Sequence, residues 1–456
     1  MNVAYLQIYY EKIKKLIKTP SFHILFSSAA VAIIFLAGDL VFTRRFTQED
    51  FGTWRQLMLL VTLGATLISL GMPEGYRYFI SYDSKNTFRH ALSLITTTFL
   101  IALILQSILV LGGMNLIAKA FNNESLHYFL YSLPVIFVIV TLSRAIRYLM
   151  INNKHTKELY RYSIYCIIIS FILIACTWPL YEKLSAQYFW WWMSGLVMMI
   201  YLVLFLPYIF VFINQKKQVH WKEAFKIKPY LRVGFPIYIA TFVGVITLNL
   251  DKGIVSAFTD PVVFAIYSIG AIELPVVGMI GASIMQKIFP DLVSSYRKGN
   301  ASEAKNLWLQ TTLKSTRITV PIILLMMIFS KPLIEFLFTQ KYVDAVPVFQ
   351  TYLLVGLWRN TQYGALIIAS GKTKWTFYYS VAGLIFNIIV SLLLFYLFGV
   401  IGIAWGGFLS VTFLSLLQLR HEGMLTEWRK NILMNKAVFL QLVGIIIVYL
   451  IYNVPF

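Results

Sequence analysis

One kind of segment recurs along this chain and limits what it can fold into. Apolar runs about 20 residues long lie near residues 21–43, 54–73, 90–111, 126–148, 161–181, 188–213, 235–258, 262–287, 315–338, 345–369, 375–398, 400–419 and 437–453. Each is long enough to cross the hydrocarbon core of a bilayer as a helix. A helix satisfies every backbone amide within itself, which lipid demands. The chain is 59% hydrophobic and 13% charged, against about 45–50% and 25% in a soluble domain. The expected fold is an all-α polytopic membrane protein.

Charge placement orients it. With the N-terminus on the cytoplasmic side, 30 of the 39 Lys and Arg fall in the tail and inner connections, counting the adjoining helix ends. Seven fall on the outer side, and Lys252 and Arg359 lie within spans. That is the positive-inside pattern. The net charge of +20 would suggest nucleic acid in a soluble protein; here it belongs to loops facing lipid headgroups. A multi-pass protein of the bacterial inner membrane is expected, with membrane lipids and no nucleic acid as partners. The basic stretch Lys12–Lys18 leads into an apolar run too long for a signal-peptide core, so it reads as an uncleaved first span. Residues 3–18 suit an amphipathic helix on the membrane surface, or a frayed basic tail.

The longest connections, 214–234 and 288–314, are both inner and basic. The first splits twelve spans six and six. Six is even, so both halves enter from the same side, as in two bundles related by a pseudo-two-fold axis along the membrane normal. The expected domains are 1–213 as an N-terminal six-helix lobe, 214–234 as a linker, 235–420 as a C-terminal six-helix lobe, and 421–456 as a loop with one extra C-terminal span. A short internal match supports duplication. Asp39 precedes Phe46-Thr47 by seven residues in GDLVFTRRFT, and Asp251 precedes Phe258-Thr259 by seven in LDKGIVSAFT.

Function should lie with the few polar groups inside spans, because an ionisable residue at membrane depth costs about 2.5–3.5 kcal/mol on insertion scales. These are Asp39, Asp251, Lys252, Glu273 and Arg359, with Asn249 and Asn387 as uncharged additions. Lys252 and Arg359 could hold an anionic headgroup, Arg as a bidentate clamp and Lys as a point charge. The acids could take up a proton or cation. Alternatively, pairs such as Lys252 with Glu273 only fix the packing. Arg144 and Arg147, one turn apart at the inner end of span 4, could meet an entering phosphate or snorkel to lipid. Arg55 and the sequence Gly71-Met72-Pro73-Glu74-Gly75 bracket span 2, and Pro73 with Glu74 reads as a hinge or gate, or as a helix stop. Trp358 beside Arg359 could stack on a sugar. Cys166 and Cys176, ten residues apart on one helix, are about 15 Å apart and cannot bridge. The six histidines are scattered, and no metal, nucleophile or ATP motif is present. The chain is therefore expected not to be an enzyme and to need no cofactor, drawing on a proton or sodium gradient.

Several stretches resemble oligosaccharide flippases of the multidrug/oligosaccharidyl-lipid/polysaccharide exporter superfamily. They include FTQEDFGTWRQLMLLVTLGATLISLGMPEGYRYF, NLDKGIVSAFTDPVVFAIYSIGAIELPV with IMQKIFPDLVSSYRKGN, and KPLIEFLFTQKYVDAVPVFQTYLL followed by ALIIASGKTKWTFYYSVAGLIFNIIVSLLLFYLFGVIGIAWGGFLS. The resemblance covers most of residues 20–420. It implies two six-helix bundles around an alternately opening cavity. It also implies transfer of an undecaprenyl-diphosphate-linked oligosaccharide, for surface polysaccharide such as O-antigen, beside other membrane proteins of polysaccharide assembly. Asp251 and Lys252 match the aspartate and basic residue on the seventh helix of such proteins, and Asn387 the asparagine on the eleventh. The thirteenth span departs from the twelve-helix form. The competing expectations are a cation-coupled multidrug exporter, which would want an acidic, aromatic cavity; a polysaccharide polymerase or ligase, which would want a large outer loop; and a non-transporting scaffold with all span charges paired.

Overall fold

The computed structural model describes residues 19–82, 87–152, 155–213, 228–272, 275–359 and 361–453. Among the described residues the chain is helical with no strand, and nine helices are long and apolar enough to cross a membrane. This is the expected all-α polytopic class. Residues 3–18 and most of the 214–234 connection lie outside the described residues. The chain forms two compact units: Met1–Thr47 with Gln56–Phe242, and Gln48–Arg55 with Val243–Phe456. The division falls inside a helix.

Unit 1 begins with α1 (Pro20–Arg45). Thr19 caps it, its hydroxyl accepting from the Phe22 amide at 3.3 Å, with Pro20 in the first turn and Arg44 and Arg45 in the last. Each feature suits its end of the helix dipole or its orphan amides. There follow α2 (Gln48–Ser69), α3 (Met72–Tyr82), α4 (Thr87–Ile108), α5 (Met114–Ala120), a 3₁₀ turn (Glu124–Phe129), α6 (Leu133–Asn152), α7 (Thr156–Lys183) and α8 (Ala186–Ile213). The first eight residues of α2 belong to unit 2. Helix α1 lies along α7, while α6 packs on α3, α4 and α8.

The 31-residue α9 (Lys228–Phe258) divides at Phe242–Val243 between the units. Unit 2 continues with α10 (Pro261–Gly270), α11 (Pro275–Arg297), α12 (Ala301–Ile328), α13 (Ser330–Phe338), a 3₁₀ turn (Gln340–Ala345), α14 (Val346–Arg359), α15 (Ala365–Ala369), α16 (Thr373–Phe398), α17 (Val400–His421), α18 (Leu425–Trp428) and α19 (Lys436–Asn453). The order of α4, α5, 3₁₀ turn and α6 recurs as α12, α13, 3₁₀ turn and α14. In both units two further long helices follow, joined by a short turn.

Among the described residues every expected apolar run is mainly helical, but several are interrupted. The run 54–73 breaks at Leu70-Gly71, 262–287 after Gly270, 315–338 at Phe329, and 345–369 after Arg359. The run 90–111 extends into a widened turn whose Gly112 has φ 118°. Mean hydropathy cannot register a change of backbone direction, so these breaks were invisible to it. The connection expected at 288–314 contracts to residues 298–300, because α11 and α12 continue as polar helices beyond their apolar cores. Likewise α9 begins at Lys228, inside the segment expected to be a loop.

At the α2–α3 break, Gly71 has φ 77° and a Cβ there would lie 2.3 Å from the Gly234 carbonyl oxygen. Only glycine tolerates both conditions. In unit 2, a Cβ at Gly402 or Gly406 would meet Leu394 O at 2.0 Å or Ser391 Oγ at 2.3 Å. This GxxxG spacing seats α17 against α16, as small residues do in membrane helix pairs. The extra helix α19 packs on α12 and α14. Tyr449 Oη accepts from Trp405 Nε1 at 3.1 Å, and Asn453 Nδ2 donates to Gln350 Oε1 at 2.6 Å.

Candidate functional site

Four helices of unit 2 converge on one small cavity. Helix α9 presents Thr247, Leu248 and Asp251; α14 presents Tyr352, Val355 and Arg359; α16 presents Gly383 and Asn387; α17 presents Gly407, Ser410, Val411 and Leu414. On each helix these positions recur at intervals of three or four, the spacing of one helical face. Gly383 and Gly407 add no bulk, and a Cβ at Gly407 would meet nothing within 4 Å. The cavity measures about 40 Å³, room for roughly three waters.

Asp251 is its acid. The residue is 5% exposed, and its Oδ2 accepts from the Tyr267 hydroxyl at 3.0 Å. Tyr267, on α10, is fully buried. The two residues lie eight positions either side of Thr259, so the tight α9–α10 hairpin sets them level. Lys252 follows Asp251 but points about 100° away around the helix. It interacts electrostatically with Asp251 and, unfavourably, with Arg55 and Arg359. Within the described residues Lys252 makes no hydrogen bond or ion pair. Arg359 also feels Asp251, and Arg55 Nη2 reaches the Ser268 carbonyl oxygen at 3.4 Å. Lys252 and Arg359 thus both act on this carboxylate, and Arg55 acts on Lys252. At an effective dielectric near 20, unit charges 4 Å apart exchange about 4 kcal/mol.

Asn387 is buried, and its Oδ1 accepts from Ser391 Oγ at 2.8 Å. Of the residues expected to matter, Asp251, Arg359 and Asn387 therefore line one space, with Lys252 beside it. Asn249 does not line it: its amide donates to the Val245 carbonyl at 2.9 Å along its own helix. Glu273 lies outside the described residues. In unit 1, Asp39 is buried on α1. Arg144 is exposed on α6, with Nη1 3.5 Å from Thr66 Oγ1; the Arg147 side chain is outside what is described. Pro73 and Glu74 occupy the first turn of α3. They start a helix rather than stop one, for a first turn tolerates proline and favours an acid. The break itself lies just before them, at Leu70-Gly71. Trp358 stacks on Trp428, with ring centroids 5.3 Å apart, so its face is used in packing.

Sequence reasoning did not reach Tyr267 or the placement of Arg55. The signal for Tyr267 was its equal distance from the Thr259 turn. Arg55 was grouped with the α2–α3 break because both lie in one apolar run.

The fold is shared with transporters of the MOP superfamily. A multidrug-resistance MATE family transporter in an inward-facing conformation superposes with TM-score 0.63 at 13% identity, over 86% of this chain and 95% of the other. The Vibrio cholerae MATE transporter VcmN gives 0.55 at 12%, over 94% and 99%. A MOP superfamily transporter from Pyrococcus furiosus, described as having a binding pocket of reversed polarity, gives 0.51 at 13%, over 89% and 95%. No curated protein is significantly similar in sequence. The model of the polysaccharide biosynthesis protein family, Polysacc_synt_3, matches residues 41–347, and the chain belongs to that family. It is thus a multi-pass membrane protein of polysaccharide biosynthesis built on a transporter fold.

Proposed function

We propose that this protein moves a polyprenyl-diphosphate-linked oligosaccharide from the cytoplasmic to the outer leaflet of the bacterial inner membrane. It does so by alternating access, driven by a proton or sodium gradient. The observation that carries this reading is that the two cations within spans meet at one place: Arg359 lines the cavity with Asp251, and Lys252 lies beside it. A diphosphate is the anion that a lipid-linked sugar brings into the bilayer, and the family's tie to polysaccharide biosynthesis supplies the sugar. The cavity is too small for a diphosphate as it stands, so the headgroup enters when the cationic side chains open. Asp251, and Asp39 in unit 1, are the groups that would take up the coupling cation. The N-terminus is cytoplasmic in this reading, following the distribution of basic residues.

A multidrug exporter of organic cations has the same fold but needs the opposite field. Polarity separates the two readings, just as reversed pocket polarity is taken to indicate a different function for the Pyrococcus furiosus transporter. The test is inactivation in the native host. Lipid-linked glycan should accumulate on the cytoplasmic leaflet while surface polysaccharide is lost, and Arg359→Gln should fail to restore it. Glycan export that continues unchanged would overturn the proposal.

A further inference from the structure

The cavity also holds a rival for the ligand proposed above. We infer that Asp251 is an internal counter-anion that competes with the substrate's diphosphate for Arg359 and Lys252, and that Tyr267 is the positioning residue that sets how strongly it competes. The inference rests on the flippase reading and concerns the regulation of that same site.

Asp251 and Arg359 line one space of about 40 Å³. Asp251 interacts electrostatically with both Arg359 and Lys252. A buried cation cluster with no anion nearby carries a large desolvation cost, and in the resting site this one carboxylate offsets part of it. An incoming diphosphate must therefore replace Asp251 as the partner of the cations as well as displace water. Tyr267 divides the carboxylate's attention. Its buried hydroxyl occupies Oδ2 at 3.0 Å, leaving the other oxygen for the cations or the cavity. The Tyr267 ring stands nearly perpendicular to that of Tyr352, a cavity-lining residue, with centroids 6.5 Å apart, which fixes the direction of the hydroxyl. Binding is linked in both directions: removing the charge of Asp251 tightens the anion, and an anion on Arg359 favours cation uptake by Asp251. Asn387 and Ser410 line the same space, and Arg55 acts on Lys252 from α2.

The experiment measures binding of inorganic pyrophosphate and of undecaprenyl diphosphate to the full chain in lipid nanodiscs. Asp251→Asn should bind both at least about tenfold more tightly than wild type, on the scale of one lost charge contact. Asp251→Ala, which removes the charge without adding an amide, should change affinity in the same direction. Arg359→Gln should lose binding. Tyr267→Phe should weaken binding severalfold by releasing the carboxylate to the cations, and should have no effect in the Asp251→Asn background. A merely structural tyrosine would weaken both backgrounds alike. If wild type binds, Arg359→Gln does not, and Asp251→Asn matches wild type, the competitor role is wrong while the flippase reading stands. If neither wild type nor Asp251→Asn binds either anion, the headgroup reading falls and takes this inference with it. A gain confined to inorganic pyrophosphate would assign the site to a small free anion and overturn the proposal as stated.

Discussion

The two units follow similar scripts with different chemistry. Each runs a long helix, a short helix, a 3₁₀ turn and another helix, then two long helices joined by a short turn. Unit 1 buries Asp39 on α1, and its side-chain links brace helix ends, as where Asn123 Nδ2 donates to Gln56 Oε1 at 2.6 Å. Unit 2 gathers Asp251, Lys252, Arg359 and Arg55 beside an open space and adds α19. The lesson is that the helical scaffold and the charged site vary independently. The order of elements follows from where apolar runs start and stop, while the site follows from a handful of substitutions on faces that already meet.

That contrast can be broken most directly by exchanging charges for amides. Arg359→Gln and Lys252→Gln should each cut glycan transfer by at least about tenfold, since a hydrogen bond to a charged group contributes about 1.5–3 kcal/mol. Arg144→Gln, at an exposed position of unit 1, should change transfer less than about threefold. Equal losses at Arg144 and Arg359 in a complementation assay would erase the distinction between units. The next largest effect concerns what the units share, close packing on glycine. Gly71→Val in unit 1 should lose roughly 3 kcal/mol, combining the left-handed backbone with an overpacked contact. Gly406→Val in unit 2 should lose roughly 2 kcal/mol from overpacking alone. Gly407→Ala, which meets open space, should melt like wild type in a thermal-shift assay.

Smaller effects sharpen what is particular to unit 2. Tyr449→Phe removes the acceptor for Trp405 Nε1 and should cost about 1 kcal/mol, read as a lower melting temperature with transport retained. Tyr296→Phe should cost a similar amount, since its hydroxyl donates to Glu422 Oε2 at 3.0 Å. Burial, and then the Glu422 charge, push the Tyr296 phenol above its ordinary value of 10.0. A raised folded-state value means that its contribution is complete below about pH 10 and fades as pH rises further. Between pH 6 and 9 the stability difference between Tyr296→Phe and wild type should therefore be flat; a slope there would mean another group is titrating.

Much of this was legible in the residues. Hydropathy located the helical runs, nine of which fall in described helices long and apolar enough to cross a membrane, and span charges such as Asp251 and Arg359 stood out against that background. The interruptions were not legible. Gly71 and Gly112 depart from helical φ without departing from an apolar composition. The cavity was only half legible for a related reason. Charges announce themselves, but the groups that orient them, such as the Tyr267 hydroxyl and the Asn387–Ser391 pair, look like ordinary membrane residues until the helices are paired.

The seat of α19 bears on how the protein is made. Its main neighbour, α12, ends at Ile328 and α19 begins at Lys436, so more than a hundred residues are synthesised between them. The flank of α12 must wait in the lipid, covered by acyl chains, until α19 leaves the ribosome. Unit 2 can therefore settle only once α19 has been made, and a ribosome stalled before it leaves an unfinished wall for membrane quality control to find.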